Sequence, residues 1–287
     1  MAFTLAHMAA ALPFYRCQKR INFEALLIGT LLPDLPYFLN NAPIVGQHSH
    51  QWSGLLQYCL PWGVAVFIVW YWLLKPATVA LLQPWGRVGC LESAAAQAPD
   101  VQYPFGLWFA AQLKFYCSFW CKVILGVLLG ASTHLIWDGI THPDGFIAQH
   151  IGWLQQPVGL AVLNDMSLAR LLQYVSSLMG LAYLGWFIHR RMPVAMNSLK
   201  LPTDRPLIVL KKWNSLFIVF LMCAISLFCG WQAMLKWHNL MIHNSYPFLA
   251  EVLVGLLQGG IGFFIFYAVS YQILYWVLKQ KHRYPSK

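Results

Sequence analysis

The chain has 287 residues, 59% of them hydrophobic and only 10% charged. Soluble domains carry roughly 25% charged residues, so this composition excludes a soluble globular protein. The formal charge of +10 does not point to nucleic acid either. The Lys and Arg residues sit in short segments beside apolar runs, as in cytoplasmic loops next to an anionic lipid surface.

In chain order, Met1–Tyr15 is apolar with one histidine, and Arg16, Lys19 and Arg20 follow it. Asn22 is a candidate N-cap for a second apolar run, Phe23–Leu32. Pro33-Asp34-Leu35-Pro36 interrupts that run, since each proline removes a donor and disfavours helix just before it. Both runs fall short of the ~20 residues a full span needs. Residues 3–40 therefore read as a short helical hairpin with its basic turn on the cytoplasmic side. Asn40–Gln51 reads as a polar loop carrying His48 and His50.

Full spans are expected over about 54–74, 118–141, 168–188, 213–235 and 252–278. Between them lie a mixed loop, Lys75–Gln112, with Arg87, Glu92 and Asp100; a loop without Lys or Arg, Pro143–Asp165; and a basic linker, Arg190–Lys212. The expected fold class is all-α: a polytopic membrane helical bundle of five long spans plus the N-terminal hairpin, forming a single transmembrane domain over residues 1–287. The basic segments and the C-terminus go to the cytoplasmic face, and the His48/His50 loop and the loop after His142 go to the other. The expected location is a bacterial inner membrane, with membrane lipid as the surrounding partner. No cleavable signal peptide is expected, because the positive residues follow the first apolar stretch rather than precede it. The seven cysteines show no Cys-x-x-Cys spacing and read as small apolar packing groups.

The stretch His134-Leu-Ile-Trp-Asp138-Gly-Ile-Thr-His142 carries the chemistry. His134 and Asp138 lie four apart, one above the other on one helical face. Titratable groups are costly in hydrocarbon, so the pair marks a functional site. His7 lies 11 residues before the centre of the basic turn and Asp34 lies 16 after it. A hairpin through that turn lifts both towards the outer face, where His48 and His50 also lie. Histidine nitrogen and carboxylate oxygen are ligands for one or two transition ions such as Zn²⁺.

Plainer roles exist for each residue. His7 could hydrogen-bond a neighbouring helix, Asp34 could cap an exposed helix end, and His48 and His50 could be solvated loop residues. His142, before Pro143, could cap its helix. Other chemistries are weaker. There is no Gly-x-Ser-x-Gly elbow and no Gly-rich phosphate loop. Gly259-Gly260-x-Gly262 reads as close helix packing. Glu251 is interfacial, and His189, His238, His243 and His282 take no role.

Several ordered motifs carry a resemblance. They are Phe3-Thr-Leu-Ala-His7-Met-Ala-Ala, Ile28-Gly-Thr-Leu-Leu-Pro-Asp34-Leu-Pro-Tyr-Phe, His50-Gln-Trp-Ser-Gly-Leu-Leu, His134-Leu-Ile-Trp-Asp138-Gly-Ile-Thr-His142-Pro-Asp-Gly and Gln173-Tyr-Val-Ser-Ser-Leu-Met-Gly180. Together they resemble a bacterial integral-membrane family of unknown function. That family opens on a Pro-Phe-Thr-x-Ala-His-Pro-Ala-Ala pattern, from which this chain departs at Ala2 and Met8. It is similar to membrane-bound metal-dependent hydrolases, which look like distant relatives of zinc-dependent phospholipase C and the P1-type nucleases. The resemblance implies a metal site of His7, Asp34, His50, His134 and Asp138, and hydrolysis of a phosphoester.

The expected function is thus a membrane-embedded metal-dependent hydrolase, with Zn²⁺ as the cofactor. Its substrate would be a lipid or lipid-linked phosphate at the outer face, and His48 and His142 are the candidate catalytic groups beside the ion. The alternative is an ion- or proton-coupled transporter using the same intramembrane cluster.

Overall fold

A computed structural model of the chain describes residues 4–39, 43–85, 105–159, 166–198, 208, 210–243 and 245–283. Arg87, Glu92 and Asp100, and the start of the Asn40–Gln51 segment, lie outside the described residues. The fold is all-α. Five helices are long and apolar enough to cross a membrane: Leu55–Trp85, Tyr116–Thr141, Leu168–Arg190, Lys212–Met241 and Phe248–Gln280. The protein is a multi-pass membrane protein. Its contacts divide it into two compact units, one of Met1–Phe67 with Asp100–Arg190 and one of Ile68–Pro99 with Arg191–Lys287.

The first unit holds the hairpin. Its first arm is a 3-10 turn, Thr4–His7, then α1 (Met8–Ala11), then a second 3-10 stretch, Leu12–Cys17. The second arm is α2 (Phe23–Gly29), whose N-cap Asn22 accepts a hydrogen bond from the Ala25 N–H at 3.0 Å. The hairpin packs on the long helix α7 (Phe105–Thr141) at a very close crossing. A Cβ on Gly126 would strike Asn22 O and Leu26 N. One on Gly130 would strike Leu26 O and the Thr30 and Gly29 backbone, and one on Gly29 would strike Val127 O. This is a small-x-x-x-small contact, in which missing side chains let backbones touch. The Asn22 N–H also donates to Lys122 O at 3.1 Å.

The row continues up the same helix: 122, 126, 130, 134, 138 and 142 are each four apart. Residues four apart share a face. The face that grips α2 through its glycines therefore carries His134, Asp138 and His142 one, two and three turns higher.

Past Gly29 the chain turns through Pro33 into α3 (Leu35–Phe38) and then α4 (Pro43–Ser49). The polar loop expected over Asn40–Gln51 is thus largely a two-turn helix. Proline at its first position costs no hydrogen bond, because that N–H is orphaned in any helix. Ser49 closes it: its hydroxyl lies 2.7 Å from Pro33 O and 2.8 Å from Gly46 O. After α7, the chain reverses at Gly145, where a Cβ would meet Asp138 O and Gly139 O, and the Ile147 N–H returns to Gly139 O at 3.1 Å. Helix α8 (Gly152–Gln155) follows, then α9 (Leu168–Ser198). Gly180 of α9 lies against Ala6.

The expected end of the first full span at Leu74 is also corrected. Helix α5 (Leu60–Val69) runs through a wide π turn, Trp70–Leu74, into α6 (Lys75–Leu82). Lys75 is 5% exposed, with its ammonium 5.3 Å from the Tyr71 ring centre, so a lysine that looks like a loop signal is a helix residue. Similarly, Phe105–Gln112 belongs to α7 rather than to the loop before it. In the second unit, α10 (Lys212–His243) and α11 (Ser245–Arg283) form a long pair. Gly255 and Gly259 lie against Cys229, and the Ser226 hydroxyl donates to Leu256 O at 2.6 Å. Gly259 fits the expected packing role, whereas a Cβ on Gly262 would meet nothing within 4 Å.

Candidate metal centre

Six of the seven sequence-predicted residues meet in the first unit. The fixed frame is α7. His134 is fully buried, and its Nδ1 lies 2.8 Å from Thr30 O. A carbonyl only accepts, so Nδ1 carries the proton and donates it. The other ring nitrogen, Nε2, lies 3.2 Å from Asp138 Oδ2 and 3.9 Å from Asp34 Oδ1. His50, just past α4, repeats the arrangement. Its Nδ1 lies 2.8 Å from Gly46 O, and its Nε2 lies 3.4 Å from Asp34 Oδ1 and 3.7 Å from Asp138 Oδ2.

Asp34 is 3% exposed. It stands at the N-cap position of α3 but makes no capping hydrogen bond. Its Oδ2 instead accepts a hydrogen bond from the Thr4 hydroxyl at 2.5 Å, which leaves Oδ1 for the histidines. Thr4 had no assigned role in the sequence reading. His7 arrives from the same turn: its ring stacks on His134 at 3.9 Å, with Nε2 3.4 Å from Asp138 Oδ1.

His142 reaches the same carboxylate oxygen through Nδ1, at 3.5 Å. Its other nitrogen lies 2.8 Å from Gln173 Nε2. Arg170 donates to Gln173 Oε1 at 3.1 Å, which fixes that amide with its NH₂ facing the ring. The Gln173 N–H therefore donates to His142 Nε2, and the neutral His142 presents Nδ1–H towards Asp138. Burial pushes the His142 imidazole below its ordinary value despite the Asp138 charge, which keeps it neutral at pH 7. Gln173 is 3% exposed; its only sequence signal is its place in the last resemblance motif. His48 lies on α4 but does not line the cavity beside the cluster, and among the described residues no ion pair or hydrogen bond joins its ring to the other six.

Two three-residue sets have ligand atoms within 4.8 Å of one another: His7, His134 and Asp138, and Asp34, His50 and His134. Buried His134 Nε2, Asp138 Oδ1 and the Nδ1 atoms of His7 and His142 have no hydrogen-bond partner. A tetrahedral zinc with ligands at ~2.0–2.1 Å holds them about 3.3 Å from one another. The His–Asp separations within these two sets, 3.2 to 3.9 Å, suit that span. The donor set, imidazole nitrogen with carboxylate oxygen, suits Zn²⁺ or a similar first-row ion.

Beside the cluster lies a cavity of about 400 Å³ whose walls include Asp34, Tyr37, His50, Asp138, His142 and Asp144. Burial pushes the Tyr37 hydroxyl up from its ordinary value, and the charges of Asp34, Asp138 and Asp144 add to that, so the phenol is neutral.

A family model described as a domain of unknown function, DUF4184, matches residues 1–271. The chain belongs to the DUF4184 family. No curated protein and no solved structure matches it. In this DUF4184 chain the match runs through both compact units, so the cluster and the α10–α11 pair belong to one family architecture.

Proposed function

We propose that the cluster is a divalent-metal centre and that the protein is a membrane-embedded hydrolase of phosphoesters, acting at the outer face of a bacterial inner membrane. One observation carries the metal reading. Two imidazoles, His134 and His50, each place Nδ1 on a main-chain carbonyl and turn Nε2 towards two carboxylates. A histidine that ligates is neutral, and neutral rings placed so would turn lone pairs on carboxylate oxygens, a repulsion that a shared cation removes. Ligating histidines commonly give the second nitrogen's proton to a carbonyl or carboxylate.

Asp34, His50, His134 and Asp138 would hold the ion, with His7 at the far oxygen of Asp138. A second ion could share Asp138 with His7. When bound, such an ion supplies a Lewis acid and acidifies water towards neutral pH. The chain's own residues do the rest. Thr4 orients Asp34, and His142, set by Gln173, steadies Asp138 through Nδ1–H. In hydrolysis a water oxygen bonds to phosphorus, the ester P–O bond breaks, and the departing alcohol takes a proton. Asp138 Oδ1, backed by His142, is the atom at which that proton is held in passage. The site's position in a membrane-spanning unit suits a lipid or lipid-linked phosphate.

Elemental analysis of the chain purified without chelator tests this, together with turnover of bis(p-nitrophenyl) phosphate. One or two zinc-class ions per chain and metal-dependent turnover are expected. Negligible metal after zinc reconstitution would sink the reading. Bound metal without turnover, combined with metal uptake into proteoliposomes, would make the ion a cargo and the protein a carrier.

A smaller effect isolates the orienting hydroxyl. Thr4→Val keeps the shape but removes the donor to Asp34 Oδ2. Loss of such an orienting partner costs ~10–100-fold in metal affinity. Competition titration with a chromophoric chelator reads it, and an unchanged affinity would deny Thr4 that role.

A further inference from the structure

Three large apolar side chains stand out from the end of the first unit that carries the cavity. Trp52, Phe146 and Trp153 are 51%, 43% and 58% exposed. Each is tied to the end of a span. Trp52 comes just before Leu55, where the first span begins. Phe146 rests on Gly139, in the last turn of the second span, where a Cβ would strike the ring; Tyr37 rests on Gly46 in the same way. The Trp52 and Phe146 rings meet at a centroid distance of 5.7 Å. Trp153 lies on α8, whose C-terminal end is hydrogen-bonded beside two spans. Gln155 Nε2 donates to Pro143 O at 2.7 Å, just past Thr141, and the Leu168 N–H, at the start of the third span, donates to Gln156 O at 3.0 Å. Phe146 also lines the cavity, so the cavity reaches the surface beside the Trp52–Phe146 pair.

A span ends where hydrocarbon gives way to water, and the side chains that anchor it there are Trp, Tyr, Lys and Arg. Lys and Arg are absent from 21–74 and from 123–169, which leaves the aromatic rings for this end. The headgroup layer takes up the apolar face of such a ring and still offers the indole N–H a wet partner. Phe serves on the apolar side of interfacial segments in the same way. We propose that Trp52, Phe146 and Trp153 seat this end of the unit in the lipid headgroup layer, so that the cavity opens at the membrane–water boundary rather than in bulk water. The partner of this surface is the bilayer itself, and the way into the cavity runs through its headgroups. The seating is a property of the span ends and holds whether or not the histidine–aspartate cluster binds an ion.

The test is fluorine NMR on the full chain in vesicles of phosphatidylcholine and phosphatidylglycerol, labelled in one sample with fluorotryptophan and in another with fluorophenylalanine. Trp52→Phe, Trp153→Phe and Phe146→Leu assign the three resonances by their loss. Three paramagnetic agents are compared: a nitroxide on the lipid headgroup, a nitroxide at the end of an acyl chain, and a gadolinium chelate in the water. The headgroup nitroxide is expected to broaden all three resonances the most, with loss of most of their intensity. Strongest broadening by the aqueous chelate at any of the three would place that ring in bulk water and overturn the proposal. Strongest broadening by the chain-end nitroxide would place it in hydrocarbon and overturn the proposal as well. Repeating the series in EDTA separates this from the metal reading. The same order of agents without metal supports the seating even if the cluster holds no ion, and an order that appears only with zinc overturns it.

Discussion

Asp138→Ala is expected to strip the protein of its metal. Among the described residues, Asp138 is the one that approaches four histidines: His7 and His142 at Oδ1, His50 and His134 at Oδ2. Removing it takes a ligand from the His7, His134 and Asp138 set and leaves the imidazoles facing one carboxylate, that of Asp34. Breaking a buried ionic contact by removing one partner costs ~3–5 kcal/mol. Expressed as affinity, that is roughly 10²–10⁴-fold. Metal per chain should fall to background at concentrations that saturate the unaltered protein, and turnover of bis(p-nitrophenyl) phosphate should fall with it. Asp138→Asn should fall nearly as far, since it keeps the volume and loses the charge. His238→Ala, on an exposed face of α10, is the control. Full metal retention in Asp138→Ala would remove the centre from this site.

Chelation is expected to lower thermal stability markedly, through linkage alone. A ligand that binds only the folded chain stabilises it by about 4 kcal/mol when present at a thousand times its dissociation constant. For a chain of this size, that corresponds to a shift on the order of 10 °C. The gain is local to the first unit: α2, α3, α4 and α7 all supply or orient ligands, so the ion would tie the hairpin to the long helix. Differential scanning fluorimetry in detergent, with and without EDTA and then with zinc restored, reads this directly. The shift should vanish in Asp34→Asn, whose carboxylate is the link from the hairpin. A chelator-induced shift of equal size in that variant would show that the stabilising ion lies elsewhere.

The all-α class and the five spans were legible from composition and run length. The His134–Asp138 pair was legible from spacing, and the approach of His7 and Asp34 from the symmetry of a hairpin about Arg16–Arg20. What the sequence hid has physical causes. The row 122-126-130-134-138-142 was overlooked because two of its members are glycines, which carry no chemistry and matter only through the backbone they let in. Helix α4 was hidden because its closing contact, Ser49 to Pro33 O, joins residues 16 apart. The continuation past Leu74 was hidden because a lysine in an apolar run reads as an end, whereas Lys75 lies over Tyr71. Gln173 and Thr4 act at a distance of 31 and 30 residues from their partners, beyond any local pattern. Tyr37 and Phe146 look like ordinary packing aromatics until their glycine seats are seen.

The carbonyls of Thr30 and Gly46 set the two central imidazoles, and both belong to the main chain. No point substitution can delete a carbonyl. Ring orientation is therefore inherited through the path of the backbone rather than through the identity of any orienting side chain. Position 30 is held by its complete burial against α7, and position 46 by the ring resting on it. The histidine geometry is thus lost through changes that move this backbone, an insertion or deletion between 30 and 50 or a side chain added at Gly29, Gly46 or Gly130.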